Sequence, residues 1–84
     1  MKIIYDILHT IKEYDNSISP TPLMRFSNLS SQSFDEYISE LVNKNFIKIL
    51  EKKEGRKKIT LADKGFDFLR EYKAIKNFIE DFGL

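Results

Sequence analysis

One stretch, Phe46 to Leu61, constrains the fold more than any other. Phe46 to Leu50 reads as a strand, with Ile47 and Ile49 on one face and Lys48 outward. Lys57 to Leu61 reads as its return, with Ile59 and Leu61 inward. Between them Glu51-Lys52-Lys53-Glu54-Gly55-Arg56 forms a hairpin loop, in which Gly55 supplies a positive φ. Elsewhere the apolar residues recur at helical spacing, so the chain is mainly helical around a single β-hairpin.

Helix 1 is expected from Lys2 to Tyr14, where Ile3, Ile4, Ile7, Leu8, Ile11 and Tyr14 form one stripe. Asp15-Asn16-Ser17 ends it, because these side chains compete for backbone groups. Ile18-Ser19-Pro20 follows as a short extended piece, since a residue before proline avoids the helical region. Thr21 as cap and Pro22 at the first helical position start helix 2, with Leu23, Met24 and Phe26 on its apolar side. Ser27-Asn28-Leu29 breaks the chain. Ser30 then caps helix 3, and Ser33-x-x-Glu36 offers a capping box slightly later. Helix 3 runs to Lys44 and buries Phe34, Tyr37, Ile38 and Leu41; Asn45 suits the left-handed position after it. Helix 4 follows the hairpin from Asp63 to Phe82.

Two short helices about a tight turn, followed by a hairpin, make a winged helix-turn-helix. The expected division is a winged domain over residues 1–62 and a C-terminal dimerisation helix of coiled-coil type over 63–84. An 84-residue chain holds one marginal core, and without cysteine neither disulfides nor cysteine-ligated zinc reinforce it. Self-association is the remaining means of support. Hydrophobic residues at 42% with 32% charged exclude disorder. The longest aliphatic-aromatic run, Ile3-Ile4-Tyr5, excludes a membrane-spanning helix or an export signal, so a cytoplasmic protein, free or chromatin-associated, is expected.

The net charge of +1 conceals an asymmetry. Residues 30–42 carry Asp35, Glu36 and Glu40 with no base, a net of −3, whereas residues 43–61 have a net of +5. Lys52, Lys53, Arg56, Lys57 and Lys58 crowd the hairpin, where neutralising phosphates would release counterions. Arg25 on helix 2 is a further candidate backbone contact. Ser31, Gln32 and Ser39 lie on the polar side of helix 3, whose early residues reach base edges in helix-turn-helix proteins; glutamine pairs with adenine, and serine bonds a base or a phosphate. A solvated surface explains each of these groups equally simply if no DNA is bound.

Catalysis is not expected. His9 is the only histidine, lies opposite the stripe of helix 1, and has no metal-ligating company. The three acids of helix 3 have no phosphate loop or pocket beside them, and no nucleophile motif occurs. No cofactor or metal is called for. Phe68, Tyr72, Ile75, Ile79 and Phe82, spaced 4, 3, 4, 3, make a heptad seam on helix 4. Phe66 and Leu69 lie off the seam and are free to pack on the domain's own core. The seam calls for a partner helix, either parallel or antiparallel, unless helix 4 folds back over its own domain.

Thr21-Pro-Leu-Met24 with Asn28-Leu-Ser30, then Tyr37-Ile38 through Leu41-Val42 and Asn45-Phe46-Ile47, then Leu61-Ala-Asp-Lys-Gly65 with Phe68-Leu69 and Tyr72, carry a resemblance across nearly the whole chain. It resembles the small archaeal winged-helix DNA-binding proteins that dimerise through a long C-terminal helix, a group with chromatin-associated members and relatives in archaeal viruses. The resemblance implies a homodimer on double-stranded DNA. Ala62 stands where that family usually has a threonine cap, Asn45 replaces a usual glycine, and Asp35 and Glu36 stand where relatives often carry lysines. An acidic helix 3 repels phosphate, and this leaves a second expectation open: the same fold binding a protein partner through helix 3.

Overall fold

The computed structural model describes residues 2–83; Met1 and Leu84, at the ends of the two expected segments, lie outside the described residues. The order is α1 (Lys2–Glu13), α2 (Pro20–Ser27), α3 (Ser31–Asn43), β1 (Ile47–Glu51), a 3-10 turn (Lys53–Gly55), β2 (Lys57–Leu61) and α4 (Asp63–Asp81). The strands are antiparallel, with Ile47 opposite Leu61, Ile49 opposite Ile59 and Glu51 opposite Lys57. This is the expected mainly α fold with a small β-hairpin wing, a winged helix-turn-helix.

α1 is the central element and packs on α2, α4 and β2. Its Ile7, Leu8 and Ile11 are fully buried, together with Ile18, Leu23, Leu41, Ile47 and Ile59. Burial of each such side chain contributes about 1.5–3 kcal/mol. Ile18, in the extended piece before α2, exchanges both backbone hydrogen bonds with Ile59 (3.2 and 2.7 Å), so β2 is paired on both sides. Asn16, in the left-handed region, accepts a 2.6 Å hydrogen bond from the Leu61 N–H through Oδ1. That bond ties the end of α1 to the end of the wing.

Two local expectations need correction. α2 starts at Pro20, with Ser19 at the N-cap position but no side-chain capping bond, two residues before the Thr21–Pro22 start. A proline at either place satisfies the same rule about the missing donor, and the rule does not choose between them. Ile49 shares a face with Ile47 but is 43% exposed: Ile59 opposite it is buried because Ile18 flanks β2 on its far side, whereas β1 is the outer strand and has no such neighbour. The helix-turn-helix corner is closed locally. The Ser27 hydroxyl donates to the Met24 carbonyl (2.6 Å) and accepts from the Leu29 N–H (3.2 Å), and Asn28 takes a left-handed conformation. Ser30 caps α3, its hydroxyl accepting from the Ser33 N–H at 3.2 Å.

The chain is long for its size. Its radius of gyration is 13.7 Å against about 12 Å for a compact 84-residue domain, and its extents are 50 × 25 × 22 Å. The excess is α4, whose first half packs on the body through buried Leu69 and whose residues beyond Tyr72 are all exposed. Among the described residues no helix is long and apolar enough to cross a membrane.

Candidate functional site

The wing gathers most of the cations that the sequence singles out. Its loop is closed by the Lys52 N–H donating to the Arg56 carbonyl at 2.6 Å. Glu54 and Gly55 both have positive φ, 67° and 72°. The glycine was legible in the sequence; the glutamate, a residue that seldom adopts this conformation, was not. Lys52, Lys53, Arg56 and Lys57 are exposed, and Lys58, opposite Leu50, is half-buried. Arg56 lies 3.7 Å from the Glu54 carboxylate, an exposed pair of little energetic weight. Among the described residues the four wing lysines make no ion pair. The wing therefore presents exposed cations on a hairpin whose loop is closed by a backbone bond, an arrangement able to meet phosphates.

Along α3, Ser31, Gln32 and Ser39 are all exposed, as expected. Gln32 is not idle: its amide donates to Glu36 Oε1 at 3.5 Å. Glu40 is paired with Lys44 at 3.0 Å. Asp35 is exposed and, among the described residues, makes no ion pair. The negative field of this helix is thus weaker toward its C-terminal end than the sequence count implies. Arg25 is exposed on α2, beside Phe26, whose ring meets Tyr14 at 5.5 Å.

His9 is exposed, stacked on Tyr5 at 5.4 Å and 3.5 Å from Glu13. Among the described residues no group of three metal-ligating side chains occurs.

The five seam residues of α4 fall into two environments. Phe68 meets Phe46 edge-on at 5.8 Å, and Tyr72 stacks on Tyr5 at 4.4 Å, so both are half-buried against their own domain. Ile75, Ile79 and Phe82 are 60%, 42% and 67% exposed. Phe78, outside the expected seam, is 64% exposed and joins them through Phe82 at 4.8 Å. The spacing 75, 78, 82 is also 3 and 4, which was the available signal for it. Of the two residues off the seam, Leu69 is buried in the core and Phe66 is 41% exposed, lining a groove of about 700 Å³ between α1 and α4.

At the base of α4, Gly65 lies where a Cβ would collide with the Phe46 carbonyl oxygen. The same oxygen accepts from the Ala62 N–H at 3.0 Å. Ala62 gives α4 no side-chain cap, and this close approach of helix to backbone takes its place in anchoring the turn.

Comparison with protein families matches residues 1–80 to the winged helix-turn-helix family. A comparison with curated proteins found no match. Similar solved structures include MepR, a transcription regulator of the Staphylococcus aureus multidrug efflux pump MepA, with TM-score 0.84 and 14% identity over 95% of this chain and 60% of that one. F93 from STIV, a winged-helix DNA-binding protein, gives TM-score 0.77 and 18% identity over 89% of this chain and 87% of that one. Sso10a-2, a DNA-binding protein from Sulfolobus solfataricus, gives 0.73 and 18% over 95% and 80%. At these identities the likeness shows the fold. The chain spans 60% of the length of MepR.

Proposed function

The chain belongs to the winged helix-turn-helix family, and on that premise we propose that it is a homodimeric double-stranded DNA-binding protein, a transcriptional regulator or chromatin-associated factor. The observation that carries this reading is the wing, where exposed Lys52, Lys53, Arg56 and Lys57 stand on a hairpin closed at its tip. Lys52, Lys53, Arg56, Lys57 and Lys58 contact phosphates, and Arg25 adds a backbone contact. Ser31, Gln32 and Ser39 of α3 face the groove. Base contact by Gln32 requires it to leave Glu36, a bond of 3.5 Å between exposed groups and easily exchanged. The distal part of the α4 seam holds the dimer. The protein acts by binding, in keeping with what is recorded of F93 and Sso10a-2 as DNA-binding proteins and of MepR as a transcription regulator.

The exposed, unpaired Asp35 favours one competing reading, a protein-interaction module acting through α3 without DNA. A gel-shift on duplex DNA across a salt series separates the two. Arg56→Ala with Lys57→Ala is expected to weaken binding alike on all sequences. The slope of log affinity against log salt should fall by about two per engaged wing. Asp35→Lys with Glu36→Lys is expected to tighten non-specific binding. Absence of binding by the wild type at low salt would leave the protein module as the better reading, to be pursued by pull-down through α3.

A further inference from the structure

We propose that the outer edge of β1 pairs with an extended, acidic segment of a partner protein, laid antiparallel beside Lys48 to Lys52.

The first ground is the backbone. The bond from the Lys52 N–H to the Arg56 carbonyl makes residues 52 and 56 a hydrogen-bonded pair. Bonded and non-bonded pairs alternate along an antiparallel ladder. Leu50 and Lys58 are then bonded, whereas Ile49 with Ile59 and Glu51 with Lys57 are not. Ile59 sets the same phase independently, since it turns both its backbone groups away from β1, to Ile18. The N–H and C=O of Ile49 and Glu51 therefore point out of the hairpin. Among the described residues no backbone hydrogen bond from another element reaches them. The outer side of β2 is already taken, by Ile18 and by the Asn16 side chain at Leu61. The outer side of β1 is open.

The second ground is the pattern of side chains. Lys52 continues β1 in extended conformation. Lys48, Leu50 and Lys52 share one face and Ile49 and Glu51 the other, all of them exposed. Leu50 is 40% and Ile49 43% exposed. An added strand sets one residue level with each of these. The complementary strand has acids level with Lys48 and Lys52 and apolar residues level with Ile49 and Leu50. A second copy of β1 does not meet that need. Residues 47–53 carry Lys48, Lys52 and Lys53 against Glu51, a net of +2, so two such edges repel. Lysines on an edge strand deter pairing with a like strand, and the same lysines attract an acidic one.

The probe is the peptide Ac-Glu-Thr-Val-Val-Glu-NH2, whose glutamates fall level with Lys52 and Lys48. It is titrated to about 2 mM into the isotope-labelled wild-type chain and followed by NMR. The amide signals of Ile49 and Glu51 are expected to shift most, and their exchange with solvent to slow about threefold or more. Methylating the backbone nitrogens of Thr and of the second Val removes the donors that meet the β1 carbonyls and keeps every charge. Binding is then expected to weaken about tenfold. Ile49→Pro removes one outward N–H, a position at which an edge strand tolerates proline, and should keep the wing signals while losing the peptide. If the wing does not tolerate proline, the methylated peptide decides the question. Lys48→Glu with Lys52→Glu should reject this peptide and accept Ac-Lys-Thr-Val-Val-Lys-NH2. The proposal is overturned if Ile49 and Glu51 do not shift, or if the methylated peptide binds equally well. It is also overturned if raising the protein concentration alone shifts these amides, which would make a second copy the occupant. Lys52 belongs to the phosphate contacts proposed above, so such a partner would compete with DNA. The titration contains no DNA, and loss of the DNA-binding reading leaves its outcomes unaffected.

Discussion

The two halves of α4 share one helical ladder and one 4-3 apolar spacing, yet they live in different surroundings. Between Asp63 and Tyr72, Gly65 and Leu69 are buried, and Phe68 and Tyr72 lie against rings from α1 and from the residue before β1. From Lys73 onward every described side chain is exposed, including Ile75, Phe78, Ile79 and Phe82. Periodicity specifies which face of a helix is apolar. Whether that face is covered depends on how far the rest of the chain reaches, and here it reaches to Tyr72. The near half is structural; the far half is available for a second molecule.

Exchanging the character of each half is the direct way to break this contrast. The largest effect is expected at Leu69, 6% exposed within the core. Leu69→Ala should cost about 2–5 kcal/mol and lower the melting temperature by roughly 10 °C or more, read by circular dichroism. Ile75→Asp with Ile79→Asp should leave the helical signal of the body intact and abolish the dimer. Charges cannot be solvated in a dry interface, and two linked DNA-binding units gain from effective concentration in a way that one does not. Light scattering and a gel-shift check both effects, and the concentration dependence of the wild-type melting temperature should vanish in the double variant. Equal loss of secondary structure in the two variants would erase the distinction. The smallest effect belongs to the boundary. Tyr72→Leu keeps apolar bulk but gives up its stacks on Tyr5 and Phe68, so it should cost about 1 kcal/mol, measured by chemical denaturation.

The sequence made legible those features governed by local chemistry. Ser30 as a cap, the break at Ser27-Asn28-Leu29, Asn45 in a left-handed position, and the return strand Lys57–Leu61 all follow from interactions within a few residues. The features that were missed depend on distant partners. Ile49 looks inward by alternation, but it lies on the outer strand of the hairpin, while Ile59 opposite it is covered by Ile18. Phe78 is decided by the place where α4 leaves the body and Phe66 by the groove left between α1 and α4, neither of which periodicity encodes. The Ser19–Pro20 start was missed for another reason: two prolines satisfied one rule. Of the candidate interface, residue types and exposure were readable, whereas the pairings of Gln32 with Glu36 and Glu40 with Lys44 emerged only with the fold.

Gly65 has a consequence at long range. α4 is 19 residues long, about 28 Å, and is fastened at one end where a missing methyl group lets it lie on the Phe46 carbonyl. It can tilt about that contact as a pivot only if the packing of Leu69 and Tyr72 shifts with it. A tilt of about 10° at the pivot carries the far tip through about 5 Å, more than the rise of one base pair, about 3.4 Å. In a dimer joined at the tips, such a tilt would change the separation and the rotational phase of the two DNA-binding units together. A single atom at residue 65 would then act as a ruler for the spacing of the sites such a dimer can span, without touching the DNA.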